Sequence, residues 1–376
     1  MVNRAGKRAG SGMGKTGAIA VLAVAEIAAL ALWFSSSAVL VEMGAEAGLS
    51  EGRLAGLSTA VQLGFAAGAL VFAILGLADR FDPRRVFCLS ALAAAGANLA
   101  LLWVPIGGEA ALALRALTGF ALAGVYPVGM KIAVGWGKSD RAALVGILVG
   151  ALTIGSGAPH LVAWAGAGAD WRMTVAACSV LAAAGGVAVL AAGLGPHHAQ
   201  TPRFDPGAIA LAWRLPRVRL AILGYLGHVW ELYAFWAWVG LVARLSFEQA
   251  GEPDPDAARL TAFVAIAAGG LACVPAGVLA DRIGRTRVAL ACLVLSGAAG
   301  LACALSFGAD PTLMIVLLVI WGIAIVPDSA LYSTMVADAA PPERAGSLMT
   351  LQTSIGFLLT AVTVQATPIA AGALGW

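Results

Sequence analysis

Long apolar runs are the feature that most limits how this chain folds. Eleven runs are each long enough to cross a bilayer, since a transmembrane helix needs about 20 mostly apolar residues. Backbone polar groups in hydrocarbon must be satisfied inside the protein, and a helix does this within one segment. The chain is therefore predicted to be an all-α polytopic membrane protein. The predicted spans are 16–42, 52–78, 86–105, 109–136, 142–166, 172–194, 217–244, 257–280, 287–307, 312–337 and 345–372.

Composition excludes several other classes of protein. Charged residues make up 11% of the chain, whereas soluble domains carry roughly a quarter. The formal net charge of +3 is too small to predict a nucleic-acid partner. No nucleophile or metal cluster stands out, so we expect neither an enzyme nor a cofactor or metal site. The five cysteines lie in apolar runs without a CxxC pair, which argues against disulfides and metal ligation. They are Cys88, Cys178, Cys273, Cys292 and Cys303.

Two short motifs resemble a nucleotide-binding loop and a metal site, but their surroundings in the sequence argue against both functions. Residues 9–16 match a relaxed phosphate-binding loop, but a basic tail precedes them and an apolar span follows. A true nucleotide loop follows a strand and opens a soluble helix, so nucleotide binding is not expected. His197 and His198 are adjacent in the linker between halves and are expected to be solvated, because other metal ligands are missing nearby.

Basic residues predict the orientation. With the N-terminus in the cytoplasm, 17 of the 23 Lys and Arg residues fall on the inner side. Only Arg53, Arg172, Arg244 and Arg259 fall outside, which is the bias typical of inserted membrane proteins. We therefore expect a multi-pass protein of a bacterial-type inner membrane, surrounded by lipid, with a cytoplasmic N-terminus.

A repeat divides the chain into two halves. The tetrapeptide Leu-Ala-Asp-Arg occurs at 77–80 and again at 279–282, each time at the end of an apolar run. Glu26 and Glu231 are related by nearly the same offset. The repeat predicts two pseudo-symmetric six-helix bundles, with the last (twelfth) helix missing because the second half has only five runs. The predicted divisions are a cytoplasmic tail 1–15, a bundle 16–194, a linker 195–216 and a bundle 217–376.

The segment GVLADRIGRTR at 277–287 resembles the signature loop of the major facilitator superfamily. The copy at 75–85 is degraded, since Leu75 and Asp82 stand where glycines belong. Arg115 also resembles an intramembrane arginine of that family. The resemblance implies a secondary transporter that moves a small solute by alternating access, with these loops latching the halves in one state. The latch residues it implies are Asp79, Arg80, Gly277, Asp281, Arg282, Gly284 and Arg285.

Ionisable residues inside the spans are candidates for function, because an unpaired charge there costs several kcal/mol. Glu26 and Glu231 occupy matching places in spans one and seven, and facing a cavity they are suited to carry protons. His228 lies one turn from Glu231, so it is predicted either to relay a proton or to pair with that carboxylate. The alternative for each glutamate is a hydrogen bond to a neighbouring helix.

Three further ionisable residues are candidates for lining the cavity. Arg115 is predicted either to pair with a glutamate or to hold an anionic substrate. Lys131 is close enough to a span end for its side chain to reach the membrane surface. Asp328 follows Pro327, where a broken helix exposes backbone groups to a cavity. His160, which follows Pro159, is a weaker candidate. The aromatic candidates for the cavity wall are Trp33, Tyr126 and Trp238.

Three functions stay open at this point. Arg115 and Lys131 favour a small organic or inorganic anion, moved in a proton-coupled way. The carboxylates and aromatic residues favour the alternative, proton-driven efflux of a cationic or amphipathic compound. A third alternative is a transporter-fold sensor or assembly protein that transports nothing. The sequence leaves the substrate, the direction of transport and the oligomeric state undecided.

Overall fold

The computed structural model describes residues 13–138, 140–166, 170–198, 207–341 and 343–376, and this part of the chain contains helices and no strand. The predicted tail at 1–15 and linker at 195–216 lie partly outside it. In the first half the helices are α1 (Lys15–Leu30), α2 (Leu40–Ala47), α3 (Glu51–Leu75), α4 (Leu77–Arg80), α5 (Pro83–Leu99), α6 (Glu109–Leu122), α7 (Tyr126–Trp136), α8 (Arg141–Ala165) and α9 (Trp171–Ala188). In the second half they are α10 (Ala208–Arg214), α11 (Pro216–Gln249), α12 (Pro255–Ile283), α13 (Arg285–Leu305), α14 (Pro311–Ile325), α15 (Asp328–Ala339) and α16 (Ala345–Leu374).

Nine helical segments in the described part of the chain are long and apolar enough to cross a membrane. The two predicted spans outside this set are the first and the seventh. In the first span the α-helix ends at Leu30, so α1, with 16 residues, is too short to cross the membrane by itself. The seventh is α11, whose 34 residues include many Trp, Tyr and charged residues that lower its mean hydropathy. These two spans carry Glu26 and Glu231, the glutamates that the repeat relates.

Three predicted spans are not continuous helices, which corrects the sequence prediction. Span one breaks after Leu30 and continues as a turn, a short 3-10 helix and α2. Span four breaks between α6 and α7, and span ten breaks at Val326 and Pro327, between α14 and α15. Proline lacks the N–H that would continue the helix. The breaks in spans four and ten lie at the matching prolines of the repeat, Pro127 and Pro327.

Local sequence signals explain where several spans begin. The carboxylates of Asp82, Asp254 and Asp310 accept hydrogen bonds from the first backbone N–H groups of α5, α12 and α14. A proline follows each aspartate at the first helical position, where its missing N–H costs nothing. This Asp-Pro pair sets the start of the third, eighth and tenth spans.

The repeat is visible as the same helix crossing in both halves. A methyl group added to Gly64 of α3 would lie 1.9 Å from the carbonyl oxygen of Ala116 in α6. In the second half, a methyl group on Gly322 of α14 would lie 1.9 Å from the carbonyl oxygen of Ala265 in α12. Only glycine allows backbones to approach this closely. Spans two and four therefore pack as spans eight and ten do.

The two halves meet along two helix pairs, α8 with α12 and α3 with α16. Gly150 and Gly270 touch at the centre of the first pair, where a methyl group on either would lie 2.9 Å from the other's carbonyl oxygen. We call the membrane side that carries the loops after α3 and α12 the motif face, and the other side the opposite face. Polar contacts between the halves, such as Glu42 with Arg259 and Gln365 with Thr59, lie at the opposite face. The halves are thus closed on that side.

The glycine crossing predicts a specific loss of stability. Gly64→Ala should force α3 and α6 apart and destabilise the protein by about 1–3 kcal/mol, which lowers its midpoint of thermal unfolding in detergent by about 5 °C. Gly96→Ala is the matched control, because a methyl group there meets open space. Equal midpoints for the two variants would contradict the crossing.

Candidate functional site

Arg115 of α6 is fully buried and holds the broken end of span one. Its Nη1 donates hydrogen bonds to the carbonyl of Leu32 at 3.0 Å and to Asn98 Oδ1 at 2.7 Å. Its Nη2 donates to the carbonyl of Trp33 at 2.7 Å. These carbonyls lie in the turn just beyond the end of α1, and a helix C-terminus attracts a cation. Arg115 therefore acts as the cap of α1.

The remaining donors of Arg115 are also used inside the first half. Its Nε donates to the carbonyl of Leu57 at 3.3 Å, and Nη1 also approaches the Ser35 hydroxyl at 3.1 Å. Asn98 extends the network by donating to Ser179 Oγ at 3.0 Å. No carboxylate among these partners neutralises the guanidinium. Of the two predicted roles for Arg115, the structure thus shows neither a glutamate pair nor a group presented to an anion.

Glu26 of α1 is the opposite case, a buried carboxylate without partners. Its side chain is 0% exposed, and neither carboxylate oxygen has a hydrogen-bond partner in the part of the chain that the structure describes. It faces α7, where a methyl group on Gly129 would lie 3.4 Å from Glu26 Oε2. Tyr126 interacts electrostatically with both Glu26 and Tyr225 of the second half. Glu26 is therefore one side chain away from the interface between the halves.

Glu231 differs from its repeat partner Glu26. Its Oε1 accepts a hydrogen bond from Trp321 Nε1 at 2.7 Å, and its Oε2 accepts one from Ser296 Oγ at 3.1 Å. Both donors belong to the second half, and Glu231 is half-buried. The structure thus gives Glu231 the neighbouring-helix role that the sequence left as the alternative.

His228 pairs with Asp328 and not with Glu231, which corrects the second predicted role of this histidine. His228 Nδ1 lies 2.8 Å from Asp328 Oδ1, and both side chains are at most 5% exposed. The other ring nitrogen shares a hydrogen bond with the hydroxyl of Ser329. Because span ten breaks at Pro327, Asp328 and Ser329 stand at the first turn of α15. The break therefore presents both groups to α11.

Aromatic side chains fill the interface between these two sites. Trp33 and Phe65 of the first half pack on Phe357 of the second, with ring centroids 5.4 and 4.3 Å apart. Tyr233 stacks beside them, 5.3 Å from Phe357 and 6.2 Å from Trp33. We call Trp33, Phe65, Tyr233 and Phe357 the aromatic seam.

All four tyrosines of the chain lie in or beside this seam. Tyr225 and Tyr332 flank His228, with ring centroids at 6.2 and 6.0 Å. Tyr126 of the first half interacts electrostatically with Tyr225. Sequence reasoning missed Tyr225 and Tyr332 of this group. The available signal was the rarity of tyrosine and its recurrence at the centres of spans four, seven and ten.

Trp238 lies away from the seam. Its Nε1 donates to the carbonyl of Val364 at 3.2 Å, and its ring stacks on Trp376 at 5.4 Å. Both partners are near the opposite-face end of α16 or just beyond it. Trp238 therefore joins α11 to α16 within the second half, and the predicted role in a cavity wall lacks structural support.

The first motif loop is pinned to its own half. Lys131 of α7 donates to the carboxylate of Asp79 and to the carbonyl of Ala78 at 3.0 Å. Lys131 thus extends to the loop at the motif face, in line with the predicted reach to the membrane surface, and its predicted role in lining the cavity is corrected. Arg80 is exposed.

The second motif loop is held in a related way. Arg285 pairs with Asp338 at the end of α15. Asp281 and Arg282 are exposed, Gly277 is half-buried, and Gly284 takes a positive φ of 98° that ends α12. The contacts made by Lys131 and Arg285 stay within one half, so they join each loop to its own bundle. The latch between halves stays a prediction for another state of the molecule.

Two broken-helix bundles that meet at a buried polar and aromatic seam define a class of protein, the two-half membrane transporter. The chain belongs to the Major Facilitator Superfamily, whose family model matches residues 22–376. This confirms the predicted family resemblance and fold class. A comparison with curated proteins gives no match.

Solved structures with the same fold include three transporters. A bacterial homologue of the human lysosomal transporter Spinster, in an inward-facing and unoccupied conformation, matches with a TM-score of 0.72 and 14% identity over 97% of this chain and 84% of that chain. The nucleoside transporter NupG matches with a TM-score of 0.70 and 15% identity over 94% and 91%. A D-xylose-proton symporter matches with a TM-score of 0.69 and 14% identity over 93% and 89%. These identities show the shared fold.

The Arg115 network predicts a structural phenotype. Arg115→Gln should leave carbonyls of the broken span unpaired and lower stability by about 1.5–3 kcal/mol for each charge-assisted hydrogen bond lost. Arg115→Lys keeps the charge without the planar fork and should also destabilise the protein. Thermal unfolding in detergent measures both variants. A fully stable Arg115→Lys protein with impaired solute binding would instead assign Arg115 to the substrate.

Proposed function

We propose that this chain exports cationic or amphipathic organic compounds in exchange for protons. The observation that carries the proposal is Glu26, a fully buried carboxylate whose oxygens have no partner in the described residues. An unpaired carboxylate in the membrane interior costs several kcal/mol. Glu26 is therefore stable when it holds a proton or a cation, and these two occupants exclude each other.

Competition for one carboxylate is sufficient to couple the two fluxes. A cation that reaches Glu26 displaces its proton, and a proton that returns displaces the cation. If the carboxylate changes sides only when occupied, neither species leaks alone. A proton gradient directed inward then drives the organic cation outward.

The charges around the seam favour a cation over an anion. Lys131 and Arg115 are the basic residues inside the spans, and both are engaged within the first half. His228 is matched by Asp328. A small anion would find its positive partners already occupied, which is why the anion hypothesis loses its main support.

The aromatic seam suits the same class of substrate. Aromatic faces attract cations and pack on flat organic molecules. The rings of Trp33, Phe65 and Tyr233 each lie within 5.4 Å of the Phe357 ring at the interface. Trp33 and Trp236 add buried indole N–H donors that have no partner in the part of the chain that the structure describes. An amphipathic cation matches this mixture of rings, donors and one free acid.

Orientation completes the proposal. The excess of Lys and Arg on the motif face predicts that this face is cytoplasmic. Closure at the opposite face then corresponds to a state that receives its substrate from the cytoplasm. We propose a bacterial-type inner membrane as the location, with protons entering from outside.

Proteoliposome flux tests the proposal, with ethidium as the fluorescent aromatic cation. Wild-type protein should move ethidium against its gradient when a pH gradient is imposed. Glu26→Gln should reduce this flux at least about tenfold, because the neutral amide cannot exchange a proton for a cation. Glu231→Gln is the matched control and should stay within about twofold, since Trp321 and Ser296 already satisfy that carboxylate.

Three outcomes would count against the proposal. Equal losses in both glutamine variants would remove the special role of Glu26. Proton-coupled uptake of a small carboxylate such as benzoate, unaffected by Glu26→Gln, would support the alternative that the substrate is a small anion. Absence of any ethidium or proton flux in the wild type, across a panel of such cations, would favour a sensor or assembly protein.

A further inference from the structure

A cavity lies between the halves at the opposite face, and Glu26 is not part of its lining. Its volume is about 30 Å³, and it is partly open to the outside. The first half contributes Ser37, Glu42 and His160 to its lining, and the second half contributes Arg244 and Arg259. The proposed exchange at Glu26 uses none of these residues.

His160 is the unexplained group in this cavity. Its side chain is 2% exposed, and neither ring nitrogen has a hydrogen-bond partner in the described residues. It stands near the end of α8, against Gly240 of α11, where an added methyl group would lie 2.8 Å from His160 Cε1. A buried imidazole with both nitrogens unpaired is costly unless the site serves a ligand or a proton.

Every charged group that lines the cavity beside His160 has a defined partner. Glu42 of α2 accepts from Arg259 Nη2 at 2.6 Å and lies 3.6 Å from Arg244 Nη1. On the outer side, Arg244 also pairs with Glu248 at 2.9 Å, and Arg259 pairs with Asp256 at 2.8 Å. One carboxylate of the first half therefore holds two arginines of the second half.

The distribution of these charges between the halves makes the cavity sensitive to conformation. Glu42 and His160 belong to the first half and move together. Arg244 and Arg259 belong to the second half and leave when the opposite face opens. In the open arrangement the imidazole has a carboxylate near it and no cation, which favours a proton on the ring. In the closed arrangement two guanidinium groups return, bind the carboxylate and repel that proton.

We propose that His160 is a proton-binding site that loads from the opposite face when the halves open there and unloads when Arg244 and Arg259 close over it. On loading, the neutral ring takes one proton from water and becomes an imidazolium. On unloading, that proton leaves the ring, and the Glu26 carboxylate is the final acceptor. The proton transfer to Glu26 rests on the proposed function, whereas the proton-binding site at His160 does not.

A hydroxyl group is placed for the transfer. Ser156 lies one helical turn from His160 on α8, toward mid-membrane, and its Oγ is buried without a partner in the described part of the chain. Residues four apart share a helix face. Ser156 is thus a relay position between the cavity and the centre of the protein.

Histidine NMR tests the binding site independently of transport. The chain has four histidines, so a ¹⁵N-histidine spectrum is simple and His160→Gln identifies the resonance. The wild-type protein and the double variant Arg244→Gln/Arg259→Gln are titrated with acid in detergent. His160 should bind its proton at least tenfold more tightly in the double variant. Arg53→Gln is the matched control, since Arg53 pairs with Glu109 inside the first half at the same face, and it should leave the titration unchanged.

Equal titration of His160 in the wild type and the double variant would overturn the proposal, as would a wild-type His160 that carries its proton throughout. The two variants must also share the wild-type thermal midpoint within about 3 °C, and a double variant that fails this is replaced by Glu42→Gln. With the glutamate neutral and the arginines present, His160 should bind its proton more weakly than in the wild type. Unchanged affinity there would contradict the charge argument.

Two transport measurements distinguish the role of His160 from that of Glu26. Ethidium exchange across vesicles at equal pH needs no net proton transfer, whereas ethidium movement driven by a pH gradient does. His160→Gln should keep exchange within about twofold and lose at least tenfold of the driven flux, while Glu26→Gln should lose both. Full driven flux in His160→Gln would remove His160 from the proton route. If the wild type moves no ethidium, the proposed function fails, and the NMR result still decides the site.

Discussion

The capping of the broken first span by Arg115 is the interaction on which the rest of the site depends. A cation in the membrane interior must be satisfied by the protein, and here the carbonyls of Leu32 and Trp33 do so. The same contacts fix the break in span one, which turns the Trp33 ring onto the seam. The cation is thereby withdrawn from the interface, and Glu26 is left as a buried carboxyl group without a hydrogen-bond partner in the described residues.

The two halves share a packing plan but have diverged at their ionisable groups. The glycine crossings of spans two and four and of spans eight and ten are equivalent. At the repeated glutamate, Glu26 has no hydrogen-bond partner among the described residues, whereas Glu231 accepts hydrogen bonds from Trp321 and Ser296. In the second half, His228 and Asp328 form a buried contact of 2.8 Å. Function is therefore expected to be concentrated on one member of each repeated pair.

Much of the fold followed from the sequence alone, because long apolar runs and a repeat leave few alternatives. The fold class and the family were predicted correctly, and nine of the eleven predicted spans match helical segments long and apolar enough to cross a membrane in the described residues. The break after Leu30 was not, because no proline or glycine marks it and the stabilising partner, Arg115, is 85 positions away. Pro327 did give a usable signal for the break in span ten.

The candidate site was only partly predictable. Helical spacing places His228 and Glu231 on one face of a helix, but it cannot say which neighbouring helix supplies each partner. In the structure, His228 contacts Asp328, and Glu231 accepts a hydrogen bond from Trp321. The four tyrosines in or beside the aromatic seam come from three spans, and no short sequence motif links them. Individual residues could be flagged from sequence, whereas their pairing required the structure.

The central claim is that one carboxylate binds either a proton or an organic cation. The most direct measurement is the number of protons released when ethidium binds to the purified protein in a weakly buffered detergent solution. The wild type should release about one proton for each bound cation, since the two compete for Glu26. The Glu26→Gln protein should release none. A wild type that binds ethidium without releasing protons, or a variant that releases as many, would contradict the claim.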